Sequence, residues 1–309
     1  IPSGVLADVF GRKKMLIVSG IMRMVGNIVM ILSNNLFMVC LSLSFHALSY
    51  NFSSGTGDAL AFDSLKLAKM EDRFEKYVSN QLMIYRICGG ISTLCAGAAL
   101  FIGYRMAYGT SLISSMIQIL ILSSLHEVYA VDPQHDGEYG TVQKLAACFR
   151  ESIRFLKEVR KVTGLMLCNS FAGAVDTLLL FFLQAKLLEK GMPEWGLGPV
   201  LFFMEMGGVA GARLILKFPG LSYRKVFLTT MFFVSAGVLA EHSAWYGIVA
   251  AGGFLAVAGD DALQVRTNAI LQDMFPSEQR ATLTSVDSFI FSIIMIVLSP
   301  LAGWAFMYW

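Results

Sequence analysis

The sequence predicts an all-α protein that crosses a membrane many times. Of its 309 residues, 56% are hydrophobic and 15% are charged, and the mean hydropathy is +0.63. Apolar runs of about 20 residues, the length needed to cross the hydrocarbon core, recur along the whole chain. A soluble globular protein, in which every helix keeps a polar face, is excluded by this composition.

The apolar runs predict about nine complete membrane-spanning helices. Short polar turns and longer charged loops alternate between them, as expected for consecutive antiparallel spans. The predicted spans are residues 15–32, 36–65, 77–102, 104–125, 162–188, 197–216, 226–240, 245–265 and 284–307.

Most of the 24 Lys and Arg residues fall in the loops on one side, which include Arg12, Lys69 and Arg154. Basic loops are retained in the cytoplasm, so we expect these three loops to be cytoplasmic in a multi-pass plasma-membrane protein. The net charge of only +2 gives no field that favours nucleic acid. The expected surroundings are the lipid bilayer, and the expected state is a monomer.

The longest polar interval, residues 127–161, separates two apolar parts of the chain. Within it, Phe149, Ile153 and Leu156 recur at helical spacing while Arg150 and Arg154 occupy other faces. This pattern indicates an amphipathic helix at the cytoplasmic leaflet. The chain therefore divides into residues 1–126, a linker at 127–161, and residues 162–309.

The chain opens on a junction between membrane and water. Gly4, Asp8 and Gly11 precede the basic residues Arg12 and Lys13, and an apolar run follows them. Gly11 gives the turn its backbone freedom. Asp8 is expected to accept hydrogen bonds from the free N–H groups at the start of the next helix.

Three segments resemble the major facilitator superfamily of secondary transporters. The spacing Gly-x-Leu-Ala-Asp-x-x-Gly-Arg-Lys at residues 4–13 resembles the family's loop between helices two and three. Residues 276–282, Pro-x-x-x-Arg-Ala-Thr, are similar to the loop between helices ten and eleven of bacterial members. Residues 55–66 resemble the cytoplasmic end of helix four.

This resemblance implies the major facilitator fold of two pseudo-symmetric helical bundles, of the bacterial type. It assigns residues 1–126 to the end of helix two through helix six, and residues 162–309 to helices seven to eleven. Helix one, most of helix two and helix twelve would then lie outside the sequence. The gating motif that the resemblance implies comprises Gly4, Asp8, Gly11, Arg12, Lys13 and Arg280.

Charges inside the spans are costly in hydrocarbon and need a partner or a water-filled cavity. Asp58 and Arg86 lie at similar depths from the cytoplasmic ends of their spans, and the resemblance places their helices at or beside the central cavity. We expect them to form an ion pair that borders the cavity. The alternative is a buried pair that fixes helix packing and never meets a solute.

The second half carries acids within its spans and no Lys or Arg at comparable depth. They are Asp176, Glu205, Asp260 and Asp261. Burial disfavours the charged form of an acid, so such carboxylates suit proton coupling or cation binding. Asp260 and Asp261 point about 100° apart on a helix, so at most one of them faces the centre of the cavity. The other could pair with Arg266, and Gln184 could contact the solute.

Motifs for catalysis are missing from the sequence. It has no Gly-x-x-x-x-Gly-Lys-Ser/Thr phosphate loop, no His-Glu-x-x-His and no nucleophile elbow, so we expect no enzyme activity, cofactor or metal site. The sequence predicts a secondary active transporter that moves a small cationic or amphipathic solute by alternating access. Proton coupling is expected, whereas the direction of transport, including efflux of a drug or metabolite, stays open; a facilitative uniporter and a non-transporting sensor or scaffold are the alternatives.

Overall fold

A computed structural model of the chain describes residues 2–127 and 141–308, and within these ranges the regular structure is entirely helical. Eight helices there are long and apolar enough to cross a membrane. The prediction of an all-α polytopic membrane protein is thus confirmed. The first part of the predicted linker, residues 128–140, lies outside the described residues.

The first six helices follow the predicted order. They are α1 (Pro2–Phe10), α2 (Arg12–Ile31), α3 (Leu36–Ser53), α4 (Thr56–Leu67), α5 (Phe74–Ile102) and α6 (Tyr104–Ser124). The predicted span 36–65 is two helices, because Gly55 takes a left-handed φ of 75° that interrupts the helical backbone. The side chain of Asn35 fixes the start of α3 by accepting the N–H of Met38 at 2.9 Å.

The remaining helices begin with the amphipathic linker helix. They are α7 (Thr141–Glu158), α8 (Arg160–Glu189), α9 (Glu194–Leu214), α10 (Tyr223–Ala240), α11 (Tyr246–Met274) and α12 (Arg280–Tyr308). α11 runs nine residues past its predicted end at residue 265, since the end of an apolar run does not end a helix and Pro276 is the first residue that does. A 3₁₀ turn, Ser277–Gln279, leads into α12.

The eight apolar helices correspond to eight of the nine predicted spans. The broken pair α3 and α4 counts as one span, and α5, which matches the predicted span 77–102, is not among the eight. Large apolar side chains such as Leu36, Phe232 and Ile296 are exposed, which is the surface that lipid tails would cover.

The described chain forms two compact units, and the first combines residues 1–71, 97–160 and 274–289. In this unit α2 packs along α3 and α6, and α1 contacts α2 and α7. A small apolar core joins Ala7, Met15, Ala59 and Ala281. The beginning of α12 therefore packs with the helices of the first half of the sequence.

The second unit combines residues 72–96, 161–273 and 290–309, so most of α5 packs with α8 to α11. Its core includes Leu183, Met204, Val234 and Ala256. Ser79 on α5 donates a hydrogen bond to the carbonyl of Ala212 on α9 at 2.6 Å. The division into residues 1–126, 127–161 and 162–309 stays a prediction.

Candidate functional site

Two groups of buried and partly buried charges stand out among the described residues, one in each unit. The first, here called the Arg12 cluster, consists of Asp8, Arg12, Asp63, Ser277 and Arg280. Asp63 at the end of α4 accepts from both arginines: Nη1 of Arg12 donates to Oδ2, and Nη1 of Arg280 donates to Oδ1. Both guanidiniums and the carboxylate are buried. With two acids and two arginines, the cluster is balanced in charge.

Asp8 joins α1 to the beginning of α12. Its Oδ1 accepts the backbone N–H of Ala281 at 3.1 Å, and its Oδ2 accepts both the N–H and the hydroxyl of Thr282 at 2.8 Å. The free N–H groups and the dipole at a helix N-terminus favour a carboxylate in this position. Burial raises the pKa of Asp8, while the charge of Arg12 and the hydrogen bonds from Thr282 and Ala281 act in the opposite direction.

The expectation that Asp8 would serve the start of α2 is therefore wrong. Glu127 caps the start of α2 instead, since its Oε1 accepts the backbone N–H of Arg12 at 2.9 Å and that of Lys13 at 3.1 Å. Gly11 holds the turn with a φ of 105°, which suits glycine alone. The amine of Lys13 donates to the carbonyl of Ser123 at 2.8 Å, at the end of α6.

Gly4 marks a close approach of α1 to α12. A Cβ built at this position would lie 2.5 Å from the carbonyl oxygen of Ala281 and 2.5 Å from the hydroxyl of Ser285. No side chain fits in that space. Gly4, Asp8 and Arg12 thus all contribute to one joint between α1, α4 and the beginning of α12.

The second group, here called the Arg86 cluster, consists of Arg86, Asp176, Glu205, Asp260 and Asp261. Arg86 on α5 binds Asp261 on α11 through two hydrogen bonds, Nε to Oδ2 at 2.9 Å and Nη2 to Oδ1 at 2.7 Å. Its Nη1 donates to Oε2 of Glu205 on α9 at 2.9 Å. The expectation that the acids of the second half are unpaired is therefore wrong for Glu205 and Asp261, whose cation comes from α5.

Asp176 on α8 completes the cluster with Asp260. Among the described residues, Oδ1 of Asp176 is enclosed and has no hydrogen-bond partner. The charges of Asp260, Arg86, Asp261 and Glu205 all act on Asp176. The carboxylate of Asp260 lies against α8, because a Cβ built at Gly173 would be 3.6 Å from its Oδ1. The cluster thus holds four acids and one arginine, and two of the acids, Glu205 and Asp261, bind the arginine directly.

The predicted contacts of three further residues, Arg266, Asp58 and Gln184, are either wrong or stay predictions. Arg266 does not take an acid of the Arg86 cluster; it pairs with Glu75 at 3.0 Å and donates to the carbonyls that precede α10. Asp58 lies half-buried in the first turn of α4, and its pairing with Arg86 stays a prediction. Gln184 is exposed on α8, eight residues beyond Asp176.

Sequence reasoning missed the partners of Arg86 and Arg266 and the role of Glu127. One signal could have pointed to the first: Arg86 is a basic residue at mid-span depth, and several mid-span acids compete for it. Within the described ranges, no group of three or more His, Cys, Asp or Glu side chains is placed to hold a metal ion.

Comparison with known proteins gives a likeness of fold. No family model matches the sequence, and no curated protein matches it. Among solved structures, the chain is similar to the crystal structure of the human organic anion transporter MFSD10 (TETRAN), with a TM-score of 0.70 and 14% sequence identity. The match covers 95% of this chain and 71% of that chain. The chain therefore has the fold of the major facilitator transporters.

Proposed function

We propose that this chain is a secondary active transporter of the bacterial plasma membrane that moves a small cationic or amphipathic solute by alternating access, coupled to protons. The observation that carries the proposal is the Arg86 cluster. It places three buried acids and the partly exposed Glu205 around a single arginine that binds two of them, in a chain whose fold is that of known transporters. Charges buried within a membrane protein are retained where they bind ions or move protons.

The proton would be taken up at Asp176 and Asp260. Both carboxylates are buried and lie near each other. Neither accepts a hydrogen bond from Arg86, whereas Asp261 accepts two. An acid without a direct cationic partner gains most from protonation, because burial penalises its charge. A proton is the coupling ion that these two acids suit best, since it neutralises a buried carboxylate without needing further ligands.

The preference for a cationic solute follows from the balance of charge. The similar human protein is an organic anion transporter, but an anion would need a free basic group here. Arg86 already has two acidic partners, and the whole cluster keeps an excess of negative charge. A solute with an ammonium group would reduce that excess, whereas a carboxylate would increase it.

The Arg12 cluster would be the cytoplasmic gate of this transporter. Asp8 and Arg12 tie α1 and α4 to the beginning of α12, and the basic loop that contains Lys13 belongs on the cytoplasmic side. Opening this side would break the hydrogen bonds of Asp8 with Thr282 and the shared contact of Asp63 with Arg280. Gly4 and Gly11 supply the close approach and the turn that the closed gate requires.

The test is solute transport in proteoliposomes that enclose a fluorescent pH indicator, with a panel of cationic, neutral and anionic compounds. We expect a cationic compound to cross together with protons, and Asp176→Asn to abolish the proton signal in protein that still elutes as a single species. Reversing the pH gradient tests efflux. Transport without proton movement would indicate a uniporter, and no transport of any compound would favour a sensor or scaffold.

A further inference from the structure

We infer that Glu205 is the carboxylate that receives the positive group of the solute, while Arg86 holds it in position. This inference rests on the proposed function, specifically on a cationic solute. It separates the acids of the Arg86 cluster into three roles: Asp261 anchors Arg86, Asp176 and Asp260 take up the proton, and Glu205 binds the solute.

The two carboxylates on Arg86 are held differently. Asp261 takes two hydrogen bonds in the bidentate geometry that guanidinium and carboxylate groups favour, and its side chain is 0% exposed. Glu205 takes one hydrogen bond, and its side chain is 26% exposed. The pair with Asp261 is therefore the fixed one, and Glu205 is the partner that a competing cation can reach.

Gly208 supports the fixed pair. It lies one helical turn after Glu205 on α9, and a Cβ built there would meet the carboxylate of Asp261 and lie 2.8 Å from Nε of Arg86. The backbone of α9 thus closes one side of the Arg86–Asp261 pair. Arg86 already lies against the backbone of α9 and cannot move closer to it, and its two hydrogen bonds with Asp261 limit its movement away, so its Nη1 stays directed at Glu205.

One carboxylate oxygen of Glu205, Oε1, is available as an acceptor. Within the described part of the chain, its Oε1 makes no hydrogen bond, and only Oε2 is bound by Arg86. An ammonium group can approach Oε1 without displacing Arg86, and the carboxylate is then shared between two cations. Asp176, at 2% exposure, and Asp261 are too enclosed to be reached in the same way.

The experiment measures binding of three compounds that differ only at the head group: phenylpropyltrimethylammonium, its neutral carbon isostere and phenylpropylsulfonate. The whole chain is purified and reconstituted in nanodiscs of zwitterionic lipid, and each affinity is measured by isothermal titration calorimetry. The variants are Glu205→Gln and, as a matched control, Glu189→Gln, which removes one acid from an exposed position on α8.

We expect Glu205→Gln to weaken binding of the ammonium compound about tenfold or more. Affinity for the neutral isostere should stay unchanged, which also shows that the variant is folded, and Glu189→Gln should resemble the wild type. Unchanged ammonium affinity in Glu205→Gln, or an equal loss for all three compounds, overturns the inference. If the sulfonate is the compound that the wild type prefers, Arg86 is the docking group and the proposal of a cationic solute fails as well.

The failure of this inference can be told apart from that of the proposed function. If the wild type binds the ammonium compound and moves protons with a cationic solute, but Glu205→Gln has no effect, only the role of Glu205 is wrong. If the wild type does not distinguish the three head groups, both the role of Glu205 and the cationic solute are wrong.

Discussion

Replacing Asp63 by asparagine should destabilise the protein more than any other single change in the Arg12 cluster. Asp63 is the one carboxylate there that both Arg12 and Arg280 share through their Nη1 atoms. The asparagine side chain would keep one oxygen acceptor, but its NH₂ group would face the other guanidinium. One charge-assisted hydrogen bond is lost, and a donor is brought against a buried cation.

The magnitude follows from what each arginine retains. Arg12 keeps Asp8 at 3.2 Å and the carbonyl of Ser277 at 2.6 Å, and Arg280 keeps the carbonyl of Phe275 at 2.7 Å. Removing one partner of a buried ion pair costs about 3–5 kcal/mol, and these remaining contacts place the expected loss near the lower end, about 3 kcal/mol.

The assay is reversible unfolding by SDS titration in mixed micelles, which gives the free energy of unfolding. The matched control is Lys66→Gln, which changes one charge at an exposed position on the same helix, α4, and should change the free energy by less than about 0.5 kcal/mol. An Asp63→Asn variant that loses less than about 1 kcal/mol would refute the view that this carboxylate holds α4 to α12.

Three further changes have defined outcomes. Glu75→Gln should lower the free energy of unfolding by about 1 kcal/mol in the same titration, because Arg266 loses an ion-pair partner with which it makes no aligned hydrogen bond and keeps two carbonyl acceptors; an unchanged free energy would mean that the pair does not stabilise the fold. Gly4→Ala should cost about 1–3 kcal/mol by overpacking α1 against α12, whereas Gly57→Ala, where a Cβ meets nothing within 4 Å, should cost almost nothing; equal effects would contradict the close approach. Burial raises the pKa of Glu241 above its ordinary 4.5, so the folded state holds this proton more tightly than the unfolded state does, and stability should fall as pH rises above 4.5. Glu241→Gln should remove that part of the pH dependence, and identical stability profiles against pH for the two proteins would contradict it.

The helices were predictable from the sequence because a span requires a long apolar run, whatever lies around it. The ends were less predictable. The break at Gly55 falls inside an apolar run, and the helical continuation of α11 beyond residue 265 carries polar residues such as Arg266 and Gln272, which end the apolar run but not the helix. Hydropathy predicts which segments can cross the membrane, whereas backbone hydrogen bonding determines where a helix begins and ends.

The candidate sites were predictable in part. The resemblance in residues 4–13 and 276–282 placed Asp8, Arg12 and Arg280 in one motif, and in the structure Arg12 contacts Asp8 while Arg12 and Arg280 share one carboxylate, that of Asp63. What the sequence could not supply was the rotation of each helix about its axis. Spacing along one helix fixes which residues share a face, but it does not say which neighbouring helix that face meets.

The pairs that were missed illustrate this limit. An ion pair of Arg86 with Asp58 was predicted because the two residues lie at similar depths in their spans. The observed partners of Arg86 on α9 and α11 are 119 and 175 residues away in sequence. Glu127 serves the start of α2 from 115 residues away. Such contacts depend on how helices cross, which only the three-dimensional structure shows.

The most direct test of the central claim is solute exchange compared with solute accumulation for Asp176→Asn in proteoliposomes. Once the first transport screen has identified a solute, exchange is measured with equal pH on both sides, and accumulation is measured against an imposed pH gradient. If Asp176 is a proton site, the variant should exchange the solute at a rate within about twofold of the wild type, yet fail to accumulate it. Accumulation at the wild-type level by Asp176→Asn would contradict proton coupling at this carboxylate.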